Sequence, residues 1–325
     1  MANFHKTVPL ESGVMRKCHA PFGGGQKEKQ MMLLAGCLPY VVHHALCQVI
    51  EPIFERTFIH DSYACRIGKG NHRALERCSQ FARRYAYVLK GDIVKYFPSI
   101  DHAILRAALS RRIADENTLG LIDLILTSGA GVQASEYTMQ WFPGDDLLAA
   151  CRERGLPIGN LTSQFWANVY LDPLDQFVKR TLHGQAYLRY SDDFLLFHDD
   201  KRVLQDWREA IREFLQTLRL RLHEGKSDIF PVRLGVTFVG FRVFPTYRRL
   251  RRDNVRRAYR RMRDLQAAYR AGTISQEQAS ASVRSWIAHS QYAATYGLRR
   301  QLVTQFAFSH SPRRRKTQRR QLGTP

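Results

Sequence analysis

Apolar residues recur along this chain at two periods, and the two periods predict its elements. From residue 41 to 54 they return at helical spacing through Val42, Ala45, Val49 and Ile53, which predicts a core helix with His43 and His44 packed along it. The run Tyr85-Ala86-Tyr87-Val88-Leu89-Lys90-Gly91-Asp92-Ile93 switches to β-formers and ends on a carboxylate. Asp101 is placed to cap a helix that buries Ile104, Leu105, Ala108 and Leu109. A second helical pair follows around residues 121–126, and the Gly/Pro turn bearing Asp145 and Asp146 reads as surface. Thr162 or Ser163 can cap a helix that carries Phe165, Trp166 and Val169 into the core. In Tyr187-Leu188-Arg189-Tyr190-Ser191-Asp192-Asp193-Phe194-Leu195-Leu196-Phe197, β-formers flank a short polar step, so the acids fall at a hairpin turn. Residues 201 to 218 form an amphipathic helix through Leu204, Trp207, Ile211, Phe214 and Leu215. A further hairpin runs from Val236 to Phe244 with Gly240 within it, and beyond Leu250 the chain is helical, with a capping box at Ser275 and Gln278.

The chemistry follows from where the acids fall. Two adjacent aspartates in an apolar setting repel each other, and a bound divalent cation relieves the cost. An exposed Asp-Asp turn is the bland alternative for that stretch taken alone. A second acid at the end of another strand, Asp92, changes the balance, because strands that bring Asp92 to Asp192 and Asp193 build an oxygen site suited to Mg²⁺. Such a ligand set serves two-metal phosphoryl transfer, with ions about 3.5–4 Å apart.

Charge narrows the partners. The 325 residues carry a formal net charge of +21. Residues 246 to 325 hold 19 Lys and Arg against 3 Asp and Glu, the footprint of a phosphate-binding surface. Arg251, Arg252, Arg256, Arg257, Arg260, Arg261 and Arg263 stud one helix of this block, and Arg313-Arg314-Arg315-Lys316 with Arg319-Arg320 form a basic tail. Six cysteines show no C-x-x-C pair and no histidine ladder, so neither a zinc site nor a disulfide framework is indicated. No apolar run reaches the ~18 residues of a membrane span, and the first residues lack the apolar core of a secretory signal, so a cytoplasmic protein with no membrane partner is expected.

The acid strand followed by an aromatic, the Tyr190-Ser191-Asp192-Asp193 hairpin and the segment Gly155-Leu156-Pro157-Ile158-Gly159-Asn160-Leu161-Thr162-Ser163-Gln164 together resemble the palm motifs of a reverse transcriptase. The last segment most resembles the enzymes of diversity-generating retroelements. Matches continue from Ser62-Tyr63-Ala64-Cys65-Arg66-Ile67-Gly68-Lys69-Gly70 to Ser285-Trp286, His289 and Gln291, so the likeness runs from about residue 42 to about residue 305.

The resemblance implies an α+β right-hand polymerase with an antiparallel palm sheet backed by helices. Its expected parts are an atypical segment at 1–41, fingers at 42–84, a palm at 85–245 with a fingers insertion near 103–155, a helical thumb at 246–310 and a basic tail at 311–325. It also implies RNA-directed DNA synthesis in which Asp92, Asp192 and Asp193, with the backbone carbonyl of Ile93, hold two Mg²⁺ ions, Mn²⁺ being an alternative. Arg66, Lys69, Phe97, Ile158, Gly159, Gln164 and Lys226 are then the dNTP contacts, Phe97 as steric gate and Lys226 near the leaving group. Tyr190, Gly240, Arg256, Arg260 and Arg263 are the implied nucleic-acid contacts. Most relatives have glutamine where this chain has Ile158 and proline where it has Gln164. Losing that hydrogen-bonding side chain removes discrimination of roughly 1–3 kcal/mol, so low fidelity is expected, with errors opposite template adenines. Template RNA, primer, dNTPs and a small basic accessory protein are the implied partners. The basic tripeptide usual near the N-terminus of the family is missing, so later residues take over that contact or activity is impaired. A group II intron or antiviral-defence reverse transcriptase, and an idle RNA-binding relic, are the rival readings.

Overall fold

The computed structural model describes residues 26–306, and side chains from residue 40 onward. The Pro21-Phe22-Gly23-Gly24-Gly25 break and the basic tail lie outside the described residues. Contacts divide the chain into two units: residues up to Gly70, Lys90–Leu195 and Gln205–Asp228 form the first, and Asn71–Leu89, Leu196–Leu204 and the residues from Ile229 on form the second.

Helix α1 (Gln26–Glu55) is longer than its periodicity predicts, and it is turned about its axis. Leu46, Cys47, Ile50 and Phe54 face inward, whereas Val49 is 66% exposed and Ile53 40%. The expectation that Ala45, Val49 and Ile53 are core is therefore corrected. Two apolar stripes lie side by side on this helix, and the one carrying the aromatic Phe54, which meets Phe165 edge-on at 5.6 Å, is buried. Helix α2 (Asn71–Arg84) leads to strand β1 (Tyr87–Gly91), a short helix α3 (Tyr96–Ser99), then α4 (His102–Ser110) and α5 (Glu116–Gly129). Asp101 caps α4 as expected, accepting from the Ile104 amide at 3.1 Å.

Helix α6 (Leu161–Gln176) is the buried axis of the first unit, with Trp166, Tyr170, Leu171 and Leu174 at 1% exposure or less. Thr162 and Ser163 do not cap it; Asn160 occupies that position, and the Thr162 hydroxyl pairs instead with His43 Nδ1 at 2.8 Å. Pro173 lies inside the helix, and the chain leaves α6 through a π-turn at Phe177–Thr181. The hairpin follows as β2 (Tyr187–Tyr190) and β3 (Asp193–His198), then α7 (Lys201–Thr217) and β4 (Asp228–Pro231). One four-stranded sheet has the order β2-β3-β1-β4. That order puts the strand ending at Gly91 beside the strand beginning at Asp193.

Gly91 is required by this packing. A Cβ built on it falls 2.1 to 2.6 Å from three ring carbons of Phe194, which is itself fully buried. Gly91→Ala is expected to destabilise the chain by about 1–3 kcal/mol, since the ring has nowhere to go in a close-packed core. Thermal unfolding of the variant checks this.

In the second unit β5 (Val236–Phe238) and β6 (Phe241–Val243) pair antiparallel, and β7 (Arg248–Leu250) adds a third strand that periodicity alone did not reveal. Three helices follow: α8 (Arg252–Arg270), α9 (Gln276–Ser290), capped by the predicted Ser275/Gln278 box, and α10 (Tyr296–Gln305). They close on Met262, Leu302 and Phe306, with Trp286 against that cluster. Among the described residues no helix is long and apolar enough to cross a membrane.

Candidate active site

Asp92 follows directly on β1, and Asp192 and Asp193 lie at the β2–β3 turn, so the sheet itself gathers the three acids. Ser191 opens that turn in a left-handed conformation, φ 58°. Such a backbone costs a non-glycine residue of order 1 kcal/mol or more, and something must hold it. The holder is Arg189, whose Nη1 donates to the Ser191 carbonyl at 2.9 Å. Arg189 is fully buried and meets Asp175 through two bonds of 2.8 and 2.7 Å. Tyr187 donates to the same Asp175 at 2.7 Å. The backbone of Arg189 joins the loop at residues 61–63, donating to the Asp61 carbonyl and accepting from the Tyr63 amide.

The acids are crowded. Burial raises the Asp192 carboxyl above the ordinary range, and Asp92 adds to the rise. Burial also raises Asp193; Lys90 pulls it back, and Asp92 and Asp192 push it up again. Two ammonium groups attend the cluster: Lys226 Nζ is 3.1 Å from Asp92 Oδ2, and Lys90 Nζ is 3.6 Å from Asp193 Oδ1. The Ser227 hydroxyl accepts from the Asp92 amide at 3.4 Å, and the Asp92 carbonyl accepts from His223 N at 2.7 Å. Among the described residues no three acid, histidine or cysteine side chains converge into a ready-made metal cage. The donor set is nonetheless all hard oxygen, mutually repelling and open to cations, which fits Mg²⁺ sharing its coordination with water and substrate phosphates. Ile93, next in the chain, is buried and bridges to Leu222.

The other sequence-predicted residues divide into those at hand and those put to other use. Arg66 was expected to meet phosphate, but its guanidinium is 5% exposed and committed: Nε and Nη2 to Glu55, Nη1 to the carbonyls of Ile59 and Ser62. It braces the loop instead, because a buried guanidinium takes every acceptor within reach. Lys69 Nζ donates to the His60 carbonyl at 2.7 Å and lies over Tyr63. Phe97 is half-buried on α3, and its neighbour Tyr96 is core, donating to the Ala167 carbonyl at 2.5 Å. Ile158 is 71% exposed, and Gly159 has φ 112° with open space where a Cβ would be. Gln164 accepts a 3.4 Å bond from the Cys65 thiol. Tyr190 is half-buried, and burial raises its phenol.

In the second unit Gly240 has φ 87°, and Asn254 donates to its carbonyl at 2.8 Å. Arg256, Arg260 and Arg263 are exposed along one face of α8. Asp145, expected at the surface, is a half-buried partner of Arg219, whose guanidinium holds its carboxyl below the usual range. Among the described residues Cys47 and Cys78 are buried and Cys65 and Cys151 exposed, with burial pushing Cys47 up to about 12.

Residues 35–243 match the family model for reverse transcriptase (RNA-dependent DNA polymerase). The chain belongs to the reverse transcriptase family. Protein YkfC of Escherichia coli strain K12 is 27% identical over 62% of this chain and 60% of its own length. The group II intron-encoded protein LtrA of Lactococcus lactis subsp. cremoris is 28% identical over 58% of this chain and 28% of its own. The chain thus spans less than two thirds of these relatives. A telomerase of Candida tropicalis, solved in complex with a fragment of telomeric RNA, superposes at a TM-score of 0.51 with 12% identity, covering 93% of this chain and 53% of that one. The fold is the α+β right-hand polymerase fold.

Proposed function

We propose that this chain is an RNA-directed DNA polymerase that extends a primer on an RNA template by metal-assisted nucleotidyl transfer. The observation that carries this reading is the gathering of Asp92, Asp192 and Asp193 by one sheet in a chain of the reverse transcriptase family. Asp92, Asp192 and Asp193, with the Ile93 carbonyl beside them, would hold Mg²⁺, which when bound supplies activation of the primer hydroxyl and neutralisation of the triphosphate. The protein's own part is positioning. Ile158 and Gly159 offer an exposed apolar surface and an uncluttered backbone for the nucleotide, Phe97 excludes a 2′-hydroxyl, and Lys226, free to swing from Asp92, meets the leaving phosphates. Gln164 joins them through its amide, and Lys69 from the loop beside it. Tyr190 and Gly240 approach the primer.

In this reading residues 42–84 act as fingers, 85–245 as palm and 246–310 as thumb. Arg256, Arg260 and Arg263 neutralise duplex phosphates, since A-form helices are read mainly through their backbones. Replacing the three with Ala is expected to lower the slope of log affinity against log salt by about 2–3, at roughly 0.7–0.9 per phosphate contact. Titration of an RNA·DNA hybrid at several salt concentrations measures it.

The finer reading is the error-prone enzyme of a diversity-generating retroelement, acting with a small basic accessory protein. Ile158 and Gln164 support it. The likeness to LtrA supports the rival, an intron-type enzyme. Primer extension on a defined RNA with Mg²⁺ and dNTPs, with the cDNA sequenced, separates them: errors concentrated at template adenines favour the first, and accurate copying the second. No extension, with hybrid binding retained, overturns the polymerase.

A further inference from the structure

Three polar side chains on α6, Gln164, Asn168 and Asp175, recur at helical spacing; Asn168 and Asp175 are buried and Gln164 is half-buried. Asp175 holds Arg189, and Gln164 meets the Cys65 thiol. Asn168, at 2% exposure, lies between them and uses both ends of its amide. Its oxygen accepts from Arg189 Nη1 at 3.1 Å, and its nitrogen donates to the Ala64 carbonyl at 2.8 Å. Only one orientation of the amide satisfies both partners, because a guanidinium can only donate and a carbonyl can only accept.

Each partner leads to a different part of the site. On one side, the Arg189 nitrogen that meets Asn168 also holds the Ser191 carbonyl, and with it the left-handed turn that aims Asp192. On the other, Ala64 precedes Cys65, itself left-handed at φ 50°, at the head of the loop that bears Arg66 and Lys69. A buried amide between two strained backbone positions fixes their relative register, and an unmade bond at either end leaves a buried group unsatisfied.

We infer that Asn168 is a positioning residue that ties the loop at residues 62–70 to the turn carrying Asp192, so that nucleotide placement and carboxylate placement are set together. This rests on the polymerase reading above. Asn168→Asp isolates the tie: it keeps an acceptor for Arg189 but turns the donor toward Ala64 into a second acceptor facing a carbonyl. Hydrogen exchange should quicken in residues 62–70 while residues 252–305 stay as in the parent. In primer extension KM for dNTP should rise by about tenfold with a smaller fall in kcat, as for a reactant displaced by a fraction of an ångström. Cys65→Ala, which removes the weaker tether of the same loop, should raise KM about two- to threefold by the same argument.

A purely structural role predicts something else: exchange that quickens in every segment alike, or kcat that falls with the folded fraction at constant KM. Either result, or unchanged exchange in residues 62–70, overturns the proposal. If the parent chain itself extends no primer, the polymerase reading and the kinetic half of this proposal fall together. Hydrogen exchange then still decides whether the tether exists.

Discussion

Asp192→Asn is expected to abolish primer extension, by on the order of 10³-fold or more, while making the metal-free chain more stable at neutral pH. The two effects share one cause. Burial and the charge on Asp92 raise the Asp192 carboxyl, which means that its ionised form is less well accommodated in the folded chain than in the unfolded one. A raised carboxyl pKa contributes stability only below the ordinary carboxylate range, near pH 3.9, and that contribution is lost as pH rises through the folded value. At pH 7 the ionised carboxylate is therefore a net cost, which asparagine removes. Melting curves without metal should show the variant above its parent at pH 7, with the gap closing as pH falls toward 4. Mg²⁺ should raise the parent's Tm by mass action and the variant's much less. Extension by the variant at the parental rate would remove Asp192 from the chemistry, and a variant less stable than its parent would show that the turn needs the charge.

How much of this was legible in the sequence depends on the kind of interaction. The hairpin turn at Asp192, the strand ending at Asp92, the Asp101 cap and the Ser275 box all rest on contacts between residues close in sequence, and each appears where expected. The phase of α1 did not, because Ala45, Val49 and Ile53 form as good a stripe as Leu46, Ile50 and Phe54, and only the aromatic surface of α6 chooses between them. The partners of Arg66 are hidden for a related reason: a cation beside glycines suggests phosphate, and nothing local tells that Glu55 and two carbonyls already surround it. Arg189 was in plain view, a lone charge in an apolar strand. Its partner Asp175 lies 14 residues upstream at the end of a helix, and no periodicity joins a strand to that helix. A charged residue flanked by apolar and aromatic residues on both sides, as Arg189 is by Leu188 and Tyr190, is the signal that could have found it, since such a charge must have a partner.

Arg189→Met tests that partnership, with an expected loss of about 3–5 kcal/mol, because it leaves Asp175 ionised in the core with no counter-charge. For a chain of this size that corresponds to a fall in Tm of about 10 °C. The reverse is expected of the pair replaced together. Arg189→Met with Asp175→Asn removes both charges, keeps an acceptor for the Tyr187 hydroxyl, and should recover much of the loss, since the desolvation of two ions disappears along with their attraction. Catalysis should not recover with it. The Ser191 carbonyl has lost its donor in both variants, the left-handed turn is no longer held, and Asp192 is free to leave the position the sheet gave it. The double variant should accordingly be folded, bind an RNA·DNA hybrid as the parent does, and extend primers about 10²-fold more slowly, in keeping with the cost of a 1 Å misplacement. A double variant that regains full activity would reduce the buried pair to packing; one that stays folded and slow makes Arg189 the residue that converts the stability of α6 into the aim of a carboxylate.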